Sequence, residues 1–403
     1  MAGAGPAGLA AALYLSRAGH KVHLFEQFVR AQPVGSGLML QPTGQAVLAD
    51  LGLLDAMAEL GVRISRLVGT DSQTGRVVLD VGYAPLGMGV HALGVHRAAL
   101  FKVLHDAVVA AKLPLRTAYP ITRMERDKDK AWLIGPRGLE GPFDLVVDTM
   151  GASSPLRGEA ERPGTATPLK FGAVWGTVPW LDTGFNGSAL TQRYHKAKVM
   201  VGVMPVGRQN VTGDAQAAFF WSLKPADYAA VKAGGFDKWR DEVLRYWPAV
   251  APHLEAVSDF DGLTLARYAH FTLPVPKGEA IAFVGDSAHS TSPQLGQGAN
   301  MALLDAAALT HAIDAGGSVA EALSLYAQMR RGHVRLYQAL SLLLTPFYQS
   351  ESKVLPVMRD VFMSALSQVP PVSRLLATMV AGQLLSPLNA VGLNAQRSRE
   401  VTR

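Results

Sequence analysis

The feature that most constrains this chain stands at its start. Gly3-Ala4-Gly5-Pro6-Ala7-Gly8 is a G-x-G-x-x-G turn that runs straight into Leu9 to Ala18, an alanine- and leucine-rich stretch of high helix propensity stopped by Gly19. Lys21 to Phe25 then alternates polar with apolar as a strand does and ends in Glu26, with Gln27 beside it. Each glycine has a physical task. The first permits the tight turn, the second lets backbone approach a diphosphate, and the third lets helix and strand pack closely. The helix N-terminus, where Ala7 sits, adds unpaired N–H groups and the positive end of its dipole. Glu26 stands near the spacing of about 20 residues at which an acid meets ribose hydroxyls. Together they predict a doubly wound α/β nucleotide-binding sheet. Only Met1 and Ala2 precede the turn, although it needs a strand before it. The expectation is a natural start several residues earlier, the alternative being a missing strand and a weakened site.

A second strand–loop–helix unit lies near the other end. Ala280 to Val284 is wholly apolar, as in a strand buried on both faces. It leads into Gly285-Asp286-Ser287-Ala288-His289, then Pro293, Gly296-Gln297-Gly298, Ala299 and Asn300, and a helix from Met301 to Ala315. Glycines before a helix N-terminus again offer N–H groups to an anionic centre, and Asp286 at the strand end can accept from a hydroxyl.

Composition removes whole classes of function. With no cysteine there are no disulfides, thiolate metal sites or thiol nucleophiles, which fits a cytoplasmic protein. The net charge of +6 has no long basic block behind it, so nucleic-acid binding has no motif to support it. No apolar run reaches the ~20 residues needed to span a bilayer, and no secretory leader is visible.

The segment GDSAHSTSPQLGQGANMALLDA, from Gly285 onward, resembles the "GD" motif of the FAD-dependent aromatic hydroxylases, class A flavoprotein monooxygenases of the p-hydroxybenzoate hydroxylase type. The N-terminal turn resembles that family's first FAD motif, and His96-Arg97-Ala98-Ala99-Leu100 its "R-x-x-L" helix, here expected from about 96 to 111. Gly37 to Pro42, followed by a helix from Thr43 to Leu51, is similar to the family's pattern as well. The resemblance implies that Asp286 binds the FAD ribityl chain and Arg97 sits near the diphosphate. Pro293 and Gly296 to Asn300 would lie against the isoalloxazine ring. It also implies the reaction: hydroxylation or epoxidation of an aromatic or lipophilic small molecule with O2, through a flavin C4a-hydroperoxide. Electrons would come from NADH, NADPH or a partner flavin reductase.

One motif departs. The family's third motif ends its strand in D-G, whereas Asp144 to Arg157 has Met150 before Gly151. A thioether cannot replace a carboxylate as acceptor or charge. Asp148, two residues back on an extended strand, would face the same side and could substitute in part. Otherwise the position tolerates drift, or reduction of the flavin is altered, with slow NAD(P)H use or electrons delivered by a separate reductase. A flavin-dependent reductase or dehydrogenase acting on an isoprenoid, or a non-catalytic flavoprotein, stays open as an alternative. A halogenase is disfavoured, because Trp175 to Trp180 lacks the paired-tryptophan motif of that family.

The expected division places FAD binding in 1–70, 91–165 and 276–333, and a β-rich substrate domain in 71–90 and 166–275. Within that domain Phe171 to Trp180, Val199 to Val206 and Ala217 to Leu223 read as strands. Trp175, Trp180, Phe219, Phe220 and Trp221 are expected to be mostly core, with some lining a pocket. His289 reads as a structural histidine more than a general base. The last segment, 334–403, reads as helices broken at Pro346, Pro356 and Pro370-Pro371, and weakly resembles the ubiquinone-biosynthesis hydroxylase branch. A helical cap on the core is favoured there over a lid, a dimer surface or a shallow membrane contact.

Overall fold

A computed structural model describes residues 1–30, 36–181, 183–363, 367 and 369–393. Its centre is a parallel sheet. Leu24–Phe25 pairs with Leu115–Arg116, and Val146–Asp148 pairs with Ile281–Phe283. The position between these pairs is filled by the first residues of the chain. Ala2 bridges in parallel to both Phe25 and Asp148, its N–H donating to the Val147 carbonyl at 2.9 Å while the Gly3 N–H donates to Phe25 at 2.8 Å. The strand that the glycine turn requires is therefore present in short form, and the alternative of a missing strand is set aside.

Helices Pro6–Arg17, Arg97–Ala110 and Gly298–Asp314 cover one face of this sheet, and their Ala and Leu side chains form the largest core. The opposite face packs against an antiparallel meander, Arg123–Asp127, Lys130–Gly135 and Gly138–Phe143, around Phe25, Ile121, Leu133 and Phe283. The helices begin where the sequence predicts or up to three residues earlier, because Pro6 and Pro42 occupy first-turn positions that need no N–H donor.

The second layer is a seven-stranded sheet ordered Thr264–Ala266, Gly172–Pro179, Gln216–Leu223, Val199–Gly207, Ala189–His195, Arg66–Asp71 and Val77–Gly82. All neighbours are antiparallel except Ala189–His195 with Arg66–Asp71. The strand Arg66–Asp71 joins this sheet, although a boundary at 70 assigned it to the nucleotide-binding part. One face of the sheet is sealed by helices Tyr228–Ala233 and Phe236–Tyr246, with Trp239 packed edge-on to Phe219 and Trp221. The other face turns toward the nucleotide-binding sheet. The two-residue alternation of a strand thus separates the aromatic set: Phe219 and Trp221 face the helices, while Trp175 and Phe220 face inward.

The helix Val319–Tyr348 starts on a capping box in which Ser318 Oγ accepts from the Glu321 N–H and Glu321 Oε2 accepts from Ser318 N–H at 2.7 Å. It begins before residue 334 and runs through Pro346, which the sequence had marked as a break. Pro346 lies in the last turn, so only one helical hydrogen bond is forfeited. Beyond it, helix Val372–Val380 and a short helix Pro387–Ala390 fold back on the core.

A buried polar network joins these layers. Asp305, fully buried, accepts from the Gly285 N–H at 2.8 Å, from His289 Nε2 at 2.6 Å and from Arg330 Nε at 2.6 Å. Burial alone would raise the Asp305 carboxyl, but the positive partners His289 and Arg330 and their hydrogen bonds override it and hold it down at about 2. Arg330 Nη1 approaches His333 Nδ1 at 3.4 Å, and His333 Nε2 donates to the Gly382 carbonyl at 3.0 Å. Burial, then the Arg330 charge, pushes His333 down from 6.5 to about 3, so this imidazole is neutral in the folded protein.

Unfolding returns His333 to its ordinary range, so between about pH 6 and 4 the unfolded chain binds one more proton here than the folded one. Stability conferred by the neutral ring is complete above pH 6.5 and is lost as the pH falls toward 3. We expect the urea-derived unfolding free energy to fall more steeply with acidification in the native protein than in His333→Gln, by up to about 1.4 kcal/mol per pH unit. Parallel slopes would contradict a buried neutral His333.

Candidate active site

Between the two layers lies a cavity of about 970 Å³, lined at one end by the glycine turn and at the other by the inward face of the seven-stranded sheet. Gly3, Gly5 and Ala7 line it, and Gly5 caps the helix Pro6–Arg17 without any side-chain acceptor and with no acid in the first turn. The first-turn N–H groups there are placed to donate to an anion. The second and third glycines have opposite surroundings. No atom lies within 4 Å of where a Gly5 Cβ would stand, so the backbone is open to the cavity. A Cβ on Gly8 would meet Gly3 O at 2.1 Å and Thr149 Oγ1 at 2.6 Å. Gly8 accordingly lies outside the cavity and serves helix–strand packing.

Glu26 lines the cavity next to Gln27, its Oε2 accepting from Ala4 N–H at 2.8 Å and its Oε1 from Phe28 N–H at 3.0 Å. The carboxylate is fixed at the strand end, as an acceptor for vicinal hydroxyls must be. Arg97 opens the helix Arg97–Ala110, which His96 caps through Nδ1 accepting from Ala98 N–H at 3.0 Å. Arg97 also lines the cavity, and its charge acts on Asp286.

Asp286 lines the cavity and is exposed to it. Desolvation by the surrounding protein raises its carboxyl, and the charges of His289, Arg97 and Arg157 oppose the rise. Arg157 holds the turn from behind: Nη2 donates to the Asp286 carbonyl at 2.6 Å, Nε donates to the Ser287 carbonyl at 3.1 Å, and the guanidinium stacks 3.6 Å from the centroid of Phe271. The sequence singled out Arg157 as part of a motif, without this clamping role.

Pro293, Gly296, Gln297, Gly298 and Ala299 all line the cavity, and the helix Gly298–Asp314 presents its N-terminus there, again with no acid in its first turn. Asn300 does not line it. Its Nδ2 donates to the carbonyls of Met39 at 3.1 Å and Gly296 at 2.9 Å, and its Oδ1 accepts from Gln41 N–H at 2.8 Å. Asn300 splints the loop to the strand Gly37–Leu40 instead of facing a ligand, which corrects its expected place against the ring.

Asp148 also departs from expectation. It is fully buried, accepting from Met150 N–H at 2.9 Å and from Ser154 Oγ–H; burial raises its carboxyl to about 6, against those hydrogen bonds and the Arg157 charge. The strand ends at Asp148 and the chain turns, so the two-residue alternation that would aim Asp148 and Met150 alike no longer holds. Met150 lines the cavity and Asp148 does not. His289 is buried against Asp305, away from the cavity lining, as a structural histidine should be.

Of the far wall, the sequence offered Trp175 and Phe220 as pocket candidates but not Gln192, Tyr194, Tyr268 or the tail residues. Tyr268 accepts from Trp175 Nε1 at 2.7 Å, Tyr194 donates to Gln192 Oε1 at 2.9 Å, and all four side chains line the cavity. Leu376, Met379 and Val380 close it from the tail, where the Val380 carbonyl accepts from Gln297 Nε2 at 2.6 Å. No sequence signal pairs residue 380 with residue 297.

A family model described as "FAD binding domain" matches residues 1–336. The FAD-dependent urate hydroxylase of Klebsiella pneumoniae is 26% identical over 355 residues, covering 83% of this chain and 85% of that protein. The 3-amino-4-hydroxybenzoate 2-monooxygenase of Streptomyces cremeus is 27% identical over 339 residues, covering 81% and 82%. In fold, the structure of Klebsiella pneumoniae HpxO complexed with FAD and uric acid superposes with a TM-score of 0.80 at 21% identity, covering 94% of this chain and 96% of that one. With the glycine turn, the Asp286 loop and the match over residues 1–336 together, the chain belongs to the FAD-binding family of aromatic hydroxylases and is an FAD-dependent monooxygenase.

Proposed function

We propose that this enzyme hydroxylates a small aromatic or lipophilic molecule held against the inward face of the seven-stranded sheet, with electrons taken directly from NADH or NADPH. The observation that carries the proposal is the continuity of one cavity from the glycine turn, past both helix N-termini, to an apolar wall built around Trp175 and Phe220. The named relatives act on ring compounds, urate and an aminohydroxybenzoate among them.

Gly3, Gly5, Ala7 and Arg97 would hold the FAD diphosphate, Glu26 and Gln27 the adenosine ribose, and Asp286 the ribityl chain. Pro293 and Gly296 to Ala299 would carry the ring, with the second helix N-terminus favouring negative charge there. Bound and reduced, FAD supplies the electrons that activate O2, and one oxygen atom passes to the substrate. The protein's own part is to bind, orient and keep water out. Leu376, Met379 and Val380 shut the far side against solvent. Tyr194 is fully buried, which raises its hydroxyl well above 10, so it stays protonated and donates a hydrogen bond instead of acting as a base.

We assign cofactor binding to 1–65, 91–165 and 276–333, and substrate binding to 66–90 and 166–275 with the tail as cap; the cytoplasm is the place for an enzyme drawing on NAD(P)H. Delivery of electrons by a separate reductase is a second reading, favoured by Met150 at a turn where no carboxylate reaches the cavity.

Two glycine variants separate binding from folding. A Cβ at Gly5 has no atom within 4 Å, so Gly5→Val should leave the melting temperature of the flavin-free protein within ordinary scatter, while weakening FAD on the order of 100-fold. Gly8→Val should lower the unfolding free energy by about 1–3 kcal/mol, because Gly3 O must move. The reverse ranking in denaturant and flavin titrations would refute these placements.

Anaerobic mixing of the holoenzyme with NADH or NADPH should bleach the flavin bands, and air should restore them. Met150→Asp should speed the bleaching by about tenfold, the value of one hydrogen bond to a charged group. Flavin that stays oxidised with both nucleotides but is reduced by an added flavin reductase would replace direct reduction with the second reading.

A further inference from the structure

We propose that the substrate of this cavity is uncharged and largely apolar, carries no carboxylate, and presents one neutral oxygen as a hydrogen-bond acceptor. The proposal rests on the monooxygenase reading above and names the substrate class of that same site.

Among the described residues, the cavity lining contains no lysine and no histidine, and its arginine, Arg97, belongs to the cofactor end. The ionised side chain on the sheet wall is Asp80, of the same sign as a substrate carboxylate and already held by Arg66 Nε at 2.6 Å. Arg359 is a cation packed directly behind two rings of the cavity lining. It is fully buried behind the rings of Tyr194 and Tyr348, 4.9 and 5.3 Å from their centroids. Its Nε donates to Asp360 and its Nη1 donates to the carbonyls of Lys196 and Phe347, while its buried Nη2 meets no hydrogen-bond partner; the residue does not line the cavity. A carboxylate brought here would lose its water without gaining a cationic partner, which buried charges tolerate poorly.

The wall itself is apolar and adaptable, with Met200, Met204 and Met379 beside Phe220. Its polar reader is Gln192. The amide oxygen is taken by the Tyr194 hydroxyl, and the amide nitrogen has only the Met200 sulfur at 3.4 Å. An N–H donor so weakly satisfied, opening on the cavity, fits a carbonyl or phenolic oxygen.

4-Hydroxybenzoate and its methyl ester differ in charge and by one methyl group, and the butyl ester measures what further apolar carbons add. Equilibrium dialysis against FAD-loaded protein should show the methyl ester bound about 100-fold tighter than the acid, and the butyl ester tighter still. Leu79→Arg or Met379→Arg, each first checked for an unchanged melting temperature, should bring the acid to within about tenfold of the ester. Two variants are used because either alone can fail to fold. Dialysis requires no turnover, so ester binding without oxygenation would count against hydroxylation of a molecule held at this wall and leave the present inference standing. Binding of the acid as tight as that of the methyl ester would overturn it, and loss of that binding in Arg359→Met would show that Arg359 reads an anion after all. Failure of both esters to bind would also overturn it.

Discussion

Two helix N-termini, at Pro6 and Gly298, end on the same cavity, and neither has an acid in its first turn. Bringing two positive dipole ends together without compensation is unfavourable, and unpaired N–H groups at a shared buried surface cost more again. The arrangement makes physical sense when an anion lies between them. A dinucleotide with a diphosphate at one end and a ring that gains charge on reduction at the other satisfies both termini at once. The rest of the architecture serves to keep the two helices in place. The short Met1–Gly3 strand sets the first, and Asp305, gripped by Gly285, His289 and Arg330, sets the loop before the second.

From that pair of charges the cavity grades into its opposite. Arg97, Glu26 and Asp286 crowd the cofactor end, whereas the sheet wall is mostly Trp175, Phe220 and methionines, its polar groups being the Gln192 amide, the Tyr194 and Tyr268 hydroxyls and an Asp80 already paired with Arg66. Polarity at one end and its near-absence at the other assign the two ends different tasks before any reaction is considered. The tail completes the second task. Helix Val372–Val380 lays Leu376, Met379 and Val380 over the opening, and His333 and Gln297 pin it through the carbonyls of Gly382 and Val380.

Much of the cofactor end was legible in the sequence because its requirements are local. A glycine turn, a helix and a strand-end acid lie within one short stretch, and each is demanded by backbone geometry at neighbouring positions. The strands of the substrate layer were legible for the same reason, since alternation is a local pattern. What failed was non-local or lay at a strand end. Asp148 and Met150 share a side only while the strand continues, and the chain turns between them. Asn300 stands in the predicted loop, yet its three hydrogen bonds reach Gln41, Met39 and Gly296, and no spacing rule announces those partners. Pro346 ends nothing because it falls where the helix has one turn left to make. The contact of residue 380 with residue 297 depends on how far the long helix Val319–Tyr348 carries the chain before it doubles back.

On this reading, two strand–turn–helix units at opposite ends of the chain make one FAD site. The most direct measurement is the visible spectrum and flavin stoichiometry of the full chain after incubation with FAD and gel filtration, beside the Asp286→Ala variant. The account predicts flavin bands at one FAD per chain in the native protein and a substoichiometric, readily lost flavin in the variant. A native protein that elutes colourless, or a variant that retains flavin as firmly as the native chain, would contradict it.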